Sequence, residues 1–155
     1  MQERFETFTV LINRISRNVR KIKNQEMAEY RLRSVHVSCL YYLYANQGLT
    51  ATALCERCEE DKATISRALD YLESGGYVTR DPEGSRRYKS PIALTDKGAE
   101  AGRRIADKID AVLEEVSGSL TEEERVAFYR SLSIISEKLD AVSKSGEPQG
   151  GRNDG

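Results

Sequence analysis

Two groups of cationic and hydroxyl-bearing residues near the middle of the chain have the chemistry to bind a polyanion. The first group lies just after Asp61 and consists of Lys62, Ala63, Thr64, Ser66 and Arg67. The second group consists of Arg86, Arg87 and Lys89. Arginine, lysine and hydroxyl side chains donate hydrogen bonds to phosphate oxygens and base edges, and a short residue such as alanine allows close approach. These residues could therefore bind a nucleic acid, with no covalent step.

The first group needs a helix that presents it on one side. Asp61 is a favoured N-cap residue, and the residues after it predict a helix that ends at Gly75-Gly76. Its apolar residues recur at the spacing of one helical face, so we expect burial of Ile65, Ala68, Leu69 and Leu72. The opposite face then carries the cationic and hydroxyl residues at its N-terminal end, where the helix dipole also favours a phosphate.

The second group needs a hairpin. Residues 77–80 predict a strand, residues 81–85 a turn and residues 86–94 a returning strand. Arg86, Arg87 and Lys89 would lie near the tip of this hairpin, where cations beside Tyr88 suit insertion into a minor groove. A recognition-type helix followed by a basic hairpin predicts a winged helix-turn-helix, mainly α with a small β-hairpin wing.

Two motifs give this part of the chain a specific resemblance. One is L-T-A-T-A-L-C-E-R-C-E-E-D-K-A-T-I-S-R-A-L-D-Y-L-E-S-G-G-Y-V-T-R, from Leu49 to Arg80, and the other is L-T-D-K-G, from Leu94 to Gly98. Together they resemble the MarR family of bacterial transcription regulators. The resemblance implies a homodimer that binds double-stranded DNA, with Arg87 as the wing-tip arginine. The chain departs from the family where Ser85 stands in place of a frequent aspartate.

The resemblance also implies a cleft between the dimer helices and the DNA-binding lobe, which in such proteins can accept small, often aromatic, ligands. The candidate lining residues are Tyr30, His36, Tyr41 and Tyr44, and core packing is the alternative role for each. Most such proteins repress transcription. The expected function is therefore a repressor that binds a pseudo-palindromic duplex and is released by a small aromatic ligand.

Amphipathic helices are predicted on both sides of this middle part. The first has a narrow apolar seam of Phe5, Phe8, Ile12, Ile15, Val19 and Ile22. Thr95 should cap a long helix that ends at residues 117–119, and Thr121 with Glu124 forms a capping box for a last helix. That last helix has its own seam, which consists of Phe128, Leu132, Ile135, Leu139 and Val142. We interpret the terminal helices as dimerisation helices; packing on the chain's own domain is the alternative for the first.

Capping and stop residues predict two further helices before the recognition-type helix. Ser34 is the expected cap of a second helix, which should end at the stop signal Asn46-Gln47-Gly48. Leu49 fits a short strand against the wing, and Thr50 should cap a short helix through Cys58. The predicted organisation is a dimerisation helix and connection (1–33), a DNA-binding domain (34–98), dimerisation helices (99–143) and a disordered tail (144–155).

The three cysteines allow several interpretations. Cys55 and Cys58 are three residues apart on a predicted helix, where small core residues belong, and a free buried cysteine behaves as a modest hydrophobe. Thiol-based redox sensing by Cys39, Cys55 or Cys58 is the alternative function. A structural zinc needs about four ligands, and only Cys39 and His36 could complete such a set. We therefore predict no metal and no cofactor.

Composition sets the remaining bounds. The chain has 155 residues, enough for one domain with a real core, and its 24 basic and 25 acidic residues give no global charge argument for nucleic acid. No apolar run approaches the length of a membrane span, so we expect a cytoplasmic protein with reduced cysteines. No phosphate loop, metal cluster or nucleophile–base pair is apparent, which argues against an enzyme. A winged helix that binds protein rather than DNA is a further alternative.

Overall fold

The computed structural model describes residues 2–80 and 90–145 and shows a mainly helical chain with one small β-hairpin. The elements in order are α1 (Gln2–Glu26), a 3-10 turn (Ala28–Tyr30), α2 (Ser34–Ala45), α3 (Ala51–Cys58), α4 (Lys62–Ser74), β1 (Val78–Thr79), β2 (Ala93–Leu94), α5 (Asp96–Ser117) and α6 (Glu122–Ser145). They fall into two compact units, Met1–Asp110 and Ala111–Gly155. The predicted fold class is confirmed.

The core of the first unit lies where α2, α3 and α4 pack on one another. The predicted apolar stripe of α4 is buried in full, which leaves the opposite face of this helix to solvent. Helices α2 and α3 contribute the fully buried Cys39, Leu40 and Leu54. Burial of one face of α4 therefore determines which of its side chains can meet a partner.

Local capping interactions begin four of the helices as predicted. The side chains of Thr50, Asp61 and Thr95 accept the N–H groups of Ala53, Thr64 and Gly98 at 3.2, 2.7 and 3.0 Å. Thr121 and Glu124 form the predicted capping box, in which each side chain accepts the other residue's N–H, at 3.2 and 2.8 Å. In all four helices, the partners are three residues apart in sequence.

The predicted Ser34 cap is wrong, because Ser34 is the first residue of α2 and Arg33 is its N-cap. The Arg33 N–H donates to Nδ1 of His36 at 3.0 Å, and the Ser34 N–H donates to Oδ1 of Asn24 at 2.7 Å. A side chain from the end of α1 thus accepts one of the N–H groups at the start of α2 that have no partner within the helix.

The hairpin is shorter than predicted over the residues that the structure describes. Strands β1 and β2 pair antiparallel, with Val78 opposite Leu94 and Thr79 opposite Ala93. Residues 90–92 are not in a strand, and Pro91 has no N–H to donate to a sheet. Leu49 adds one backbone bond to this region, since its carbonyl accepts the Ile92 N–H at 2.9 Å. The predicted turn and the tip of the wing lie outside the described residues.

In the second unit, α6 continues further than predicted. Lys144 and Ser145, which we assigned to a disordered tail, belong to the helix, and Lys144 donates to Asp140 one turn earlier at 2.7 Å. The rest of the predicted tail lies outside the described residues. Among the described helices, none is long and apolar enough to cross a membrane.

Candidate nucleic-acid interface

The N-terminal end of α4 carries the first predicted group of partner-binding residues. Lys62, Ala63 and Arg67 are exposed, whereas Thr64 and Ser66 are half-buried. The guanidinium of Arg67 donates to the Thr64 hydroxyl at 3.3 Å. All five side chains are therefore on the open face of one helix end, where the helix dipole is positive. The arrangement suits phosphate oxygens and base edges.

Asp61 holds this end of the helix in shape. Its carboxylate accepts the backbone N–H of Thr64, and this hydrogen bond lowers the pKa of Asp61 below its ordinary value. The carboxylate is therefore ionised at neutral pH and remains an N-cap. Its negative charge also lies beside the cations, so the interface presents both signs.

Two contacts fix the C-terminal half of α4 against its neighbours. The Tyr71 ring stacks on His36, with centroids 4.4 Å apart and planes 2° from parallel, and its hydroxyl donates to the Arg31 carbonyl at 2.9 Å. Arg31 itself has a left-handed backbone, with φ of 57°. Tyr71 is 42% exposed, and these contacts join α4 to α2 and to the connection before α2.

Arg80 joins α4 to the base of the wing. Its guanidinium donates to Glu73 at 3.1 Å through Nε and to Asp70 at 2.7 Å through Nη2, and only 8% of the side chain is exposed. Burial lowers the pKa of Arg80, but the hydrogen bonds to Glu73 and Asp70 outweigh it and raise the pKa overall. Sequence reasoning missed this role, because no local pattern links Arg80 to carboxylates on the preceding helix.

The L-T-D-K-G motif forms a clamp between α5 and the end of α4. Thr95 donates through its hydroxyl to the carbonyls of Gly76 and Tyr77, at 2.6 and 3.2 Å. Lys97 donates to the Gly75 carbonyl at 2.6 Å and lies 4.3 Å from the centroid of the Tyr77 ring. A Cβ at Gly98 would lie 1.9 Å from the Tyr77 carbonyl oxygen, so only glycine fits there. The motif therefore has a structural role, which positions the wing base.

The second predicted group, Arg86, Arg87 and Lys89, lies outside the described residues. Its role therefore stays a prediction. The described part of the candidate interface consists of α4 and the base of the hairpin.

The four candidate ligand residues have separate packing contacts. The Tyr30 hydroxyl accepts a hydrogen bond from Arg104, and its ring lies 6.0 Å from that guanidinium. His36 stacks on Tyr71, and Tyr41 meets Tyr42 edge-on at 5.3 Å between centroids. Tyr44 packs over Gly102, where a Cβ would lie only 2.6 Å from the Tyr44 Cβ. Tyr30 and Tyr41 pack against the core and His36 is buried, whereas Tyr44 is exposed; a ligand role for the four stays a prediction.

The three cysteines form no disulfide and belong to the region of the core. Cys39 is buried, whereas Cys55 and Cys58 are half-buried and pack against the core cluster. Within residues 2–80 and 90–145, no cluster of three or more His, Cys, Asp or Glu side chains could hold a metal ion.

These elements define a winged helix-turn-helix: α3 and α4 form the helix-turn-helix, and β1 and β2 form the base of the wing. The model of the MarR family matches residues 31–87. The HTH-type transcriptional regulator TtmR of Methylorubrum extorquens is 28% identical over 123 residues, which cover 78% of this chain and 61% of TtmR. The chain thus spans less than two thirds of that relative.

Solved structures agree with this assignment. A MarR-family transcriptional regulator from Silicibacter pomeroyi is 29% identical with a TM-score of 0.69, over 81% of this chain and 84% of that one. The MepR–DNA complex of S. aureus shares the fold, with a TM-score of 0.76 at 22% identity, over 86% of this chain and 97% of MepR. Residues 31–87 thus match the MarR family, and the chain is similar in fold to the solved MarR-family structures.

Proposed function

We propose that this protein is a homodimeric repressor that binds a pseudo-palindromic double-stranded DNA site in the cytoplasm. The observation that carries the proposal is the exposed N-terminal end of α4, where Lys62, Ala63 and Arg67 face solvent beside the Thr64 and Ser66 hydroxyls. Support also comes from the MepR structure, which has the same fold and was solved as a DNA complex.

In this proposal each protomer inserts α4 into a major groove. Two recognition helices of a two-fold dimer would occupy successive major grooves about 34 Å apart. Lys62 and the Ser66 hydroxyl would bind phosphates, which position the protein, while Arg67 would contact a base edge or the adjacent phosphate. Arg87, with Arg86 and Lys89, would reach the flanking minor groove, where the negative potential is concentrated.

The homodimer is supported by exposed apolar side chains within each unit. On α1, Phe8, Ile12, Ile15 and Val19 are 38, 37, 53 and 46% exposed. On α6, the exposed seam consists of Phe128, Leu132, Ile135, Leu139 and Val142, and no residue of that helix is buried. Apolar surface of this extent on a folded protein marks an interaction site. The terminal helices of a second copy are the partner that we propose.

Release from DNA would require a ligand that binds one spacing of the two α4 helices better than another. We propose a small aromatic molecule for this role, with Tyr30, His36, Tyr41 and Tyr44 as its candidate contacts. Rings of these residues would stack on such a ligand only after their present packing contacts are rearranged.

Selection of duplexes from a random pool, at one stated salt concentration, tests this function. We expect enrichment of an inverted repeat, and an affinity that falls steeply as salt rises, because each phosphate contact releases counterions and steepens the slope by about 0.9. Absence of an enriched sequence, together with an affinity for duplex that ignores salt, would instead support a protein-interaction module.

A further inference from the structure

A contact between a hydroxyl and a guanidinium lies on the open face of α4, near its N-terminal end. Nη2 of Arg67 donates to the hydroxyl of Thr64 at 3.3 Å. The two residues are one helical turn apart, and Arg67 is exposed whereas Thr64 is half-buried. The contact therefore restrains the long Arg67 side chain at its guanidinium, while the side chain as a whole stays open to solvent.

Thr64 is in turn held by Asp61, the N-cap of the helix. The backbone N–H of Thr64 donates to Oδ1 of Asp61 at 2.7 Å. Hydrogen bonds from this N–H and from the Thr64 side chain lower the pKa of Asp61, and the charge of Arg67 lowers it further. A hydroxyl donates one hydrogen bond and accepts two, so Thr64 can bind Asp61 and Arg67 together. The restraint on Arg67 thus begins at the capped end of the helix.

The partner of Arg67 orients the guanidinium without cancelling its charge. Exposed arginines of α5 and α6, such as Arg103 and Arg125, pair with carboxylates. A carboxylate in direct contact would compete with DNA for the guanidinium, because hydrogen bonds between charged groups are the stronger ones. The bond to Thr64 is made to a neutral group and uses one of the five N–H donors of an arginine. Four donors of Arg67 therefore remain for a partner.

Orientation of a guanidinium matters more for a base edge than for a phosphate. A phosphate accepts hydrogen bonds from many directions, so a flexible cation such as Lys62 can bind it. A base edge accepts only near its own plane, and a donor that is already oriented loses less entropy on binding. In the major groove, guanine is the base that presents two neighbouring acceptors, N7 and O6, to one arginine.

We propose that Arg67 reads a guanine in each half-site of the duplex and that Thr64 is the positioning residue for its guanidinium. Two of the remaining N–H groups of Arg67 donate to N7 and O6, while the Thr64 hydroxyl fixes the direction from which they approach. Thr64 then contributes to base preference although it touches no base. The inference rests on the proposed function, because it requires α4 to lie in a major groove.

The test replaces the guanines of one half-site, one at a time, with 7-deazaguanine, which pairs normally but lacks the N7 acceptor. The duplex obtained by selection from the random pool is the reference. The full-length wild type should lose about tenfold in affinity at one guanine, within the range of a bidentate arginine–guanine pair. Arg67→Ala should bind the modified and unmodified duplexes alike, which assigns that guanine to Arg67.

Variants of Thr64 separate positioning from a merely structural role. Thr64→Val keeps the β-branched shape and the backbone N–H that Asp61 accepts, but it lacks the hydroxyl. It should reduce the preference for guanine over 7-deazaguanine from about tenfold to about threefold, and Thr64→Ser, which keeps a hydroxyl, should retain the preference. Ser66→Ala is the matched control, because Ser66 is proposed to bind a phosphate; it should weaken binding to both duplexes by the same factor.

The double variant Thr64→Val with Arg67→Ala gives a second measurement. Because Thr64 acts through Arg67, the double variant should bind the unmodified duplex as tightly as Arg67→Ala alone. Losses that add, or a wild-type preference for guanine in Thr64→Val, would overturn the role of Thr64. Wild-type binding that no 7-deazaguanine weakens would overturn the reading of guanine. Failure of the wild type to bind any duplex would instead contradict the proposed function, and this inference with it.

Discussion

Arg67 is part of α4 and Arg80 binds to it, and the two arginines differ in their exposure to solvent. Arg67 is exposed and contacts only a hydroxyl one turn away among the described bonds, whereas Arg80 is almost buried between Asp70 and Glu73. Helical periodicity alone places Arg67 on the open face of α4. Periodicity cannot place Arg80, because the partners of Arg80 depend on how the chain turns back after Gly75 and Gly76.

Arg80→Met should destabilise the fold, since it removes hydrogen bonds between charged groups at a site that water hardly reaches. The expected loss in the free energy of unfolding is about 1.5–3 kcal/mol, measured by urea denaturation. Arg103→Met is a matched control, because Arg103 pairs with Glu100 and Asp107 at an exposed site, where such pairs contribute about 0.2–1 kcal/mol. Equal losses in the two variants would show that Arg80 is not a structural link.

His36 should make stability depend on pH. Burial, followed by the charge of Arg33, lowers the pKa of His36, and its Nδ1 accepts the Arg33 N–H. The folded state therefore binds a proton less readily than the unfolded state. The stability that neutral His36 contributes to the fold is complete above the pKa of the unfolded state, about 6.5. This stability is lost as the pH falls toward the pKa of the folded state.

The pH dependence is checked by measuring the free energy of unfolding at about pH 7.5 and at about pH 5.5, on either side of the unfolded pKa of His36. His36 is the single histidine of the chain, so His36→Asn, whose amide oxygen can replace Nδ1 as acceptor, should show a flatter profile. An identical profile in the variant would assign the pH dependence to other groups.

At the scale of helices, local interactions were predictable and distant ones were not. The caps of α3, α4, α5 and α6 were predicted correctly because donor and acceptor are close in sequence. The cap of α2 was missed because Asn24, ten residues away, supplies the acceptor. The length of the returning strand was also missed, since its pairing depends on Leu49 and β1 rather than on its own residues.

Gly98→Ala should separate α5 from the wing base. The added Cβ would meet the Tyr77 carbonyl oxygen at 1.9 Å, a backbone atom that cannot rotate away. Overpacking of this kind costs about 1–3 kcal/mol or more, measured as the free energy of unfolding. Gly118→Ala is the comparison, because its Cβ would meet the Glu114 carbonyl oxygen at 3.0 Å, a tight contact that a much smaller shift relieves, so its loss of stability should be smaller. A Gly98→Ala protein as stable as wild type would refute the clamp.

For the whole molecule, one chain leaves apolar seams exposed on α1 and α6. Sequence periodicity predicted both seams. Phe8, Ile12, Ile15, Val19 and the seam of α6 are exposed in a single chain, whereas Ile22 is half-buried. The identity of their partner lies beyond one sequence, because any apolar surface of matching shape could cover them. A second copy is the partner that we propose for both seams.

Ile15→Glu combined with Ile135→Glu should give monomers or aggregates, since each carboxylate would have to be buried in the proposed interface. Sedimentation velocity measures the outcome. The control combines Arg17→Glu with Glu137→Lys, which changes charge two residues away on each helix, on roughly the opposite side. An intact dimer in the isoleucine variant would place the interface elsewhere.

The affinity of Arg67→Ala for the selected duplex tests the central claim most directly. Wild type, Arg67→Ala and the charge-matched control Arg103→Ala are compared at one salt concentration. Because Arg67 lies on the exposed face of α4, its loss should weaken binding by about 1–3 kcal/mol without unfolding the protein, while Arg103→Ala should bind like wild type. Wild-type affinity in Arg67→Ala would contradict the assignment of DNA recognition to this end of α4.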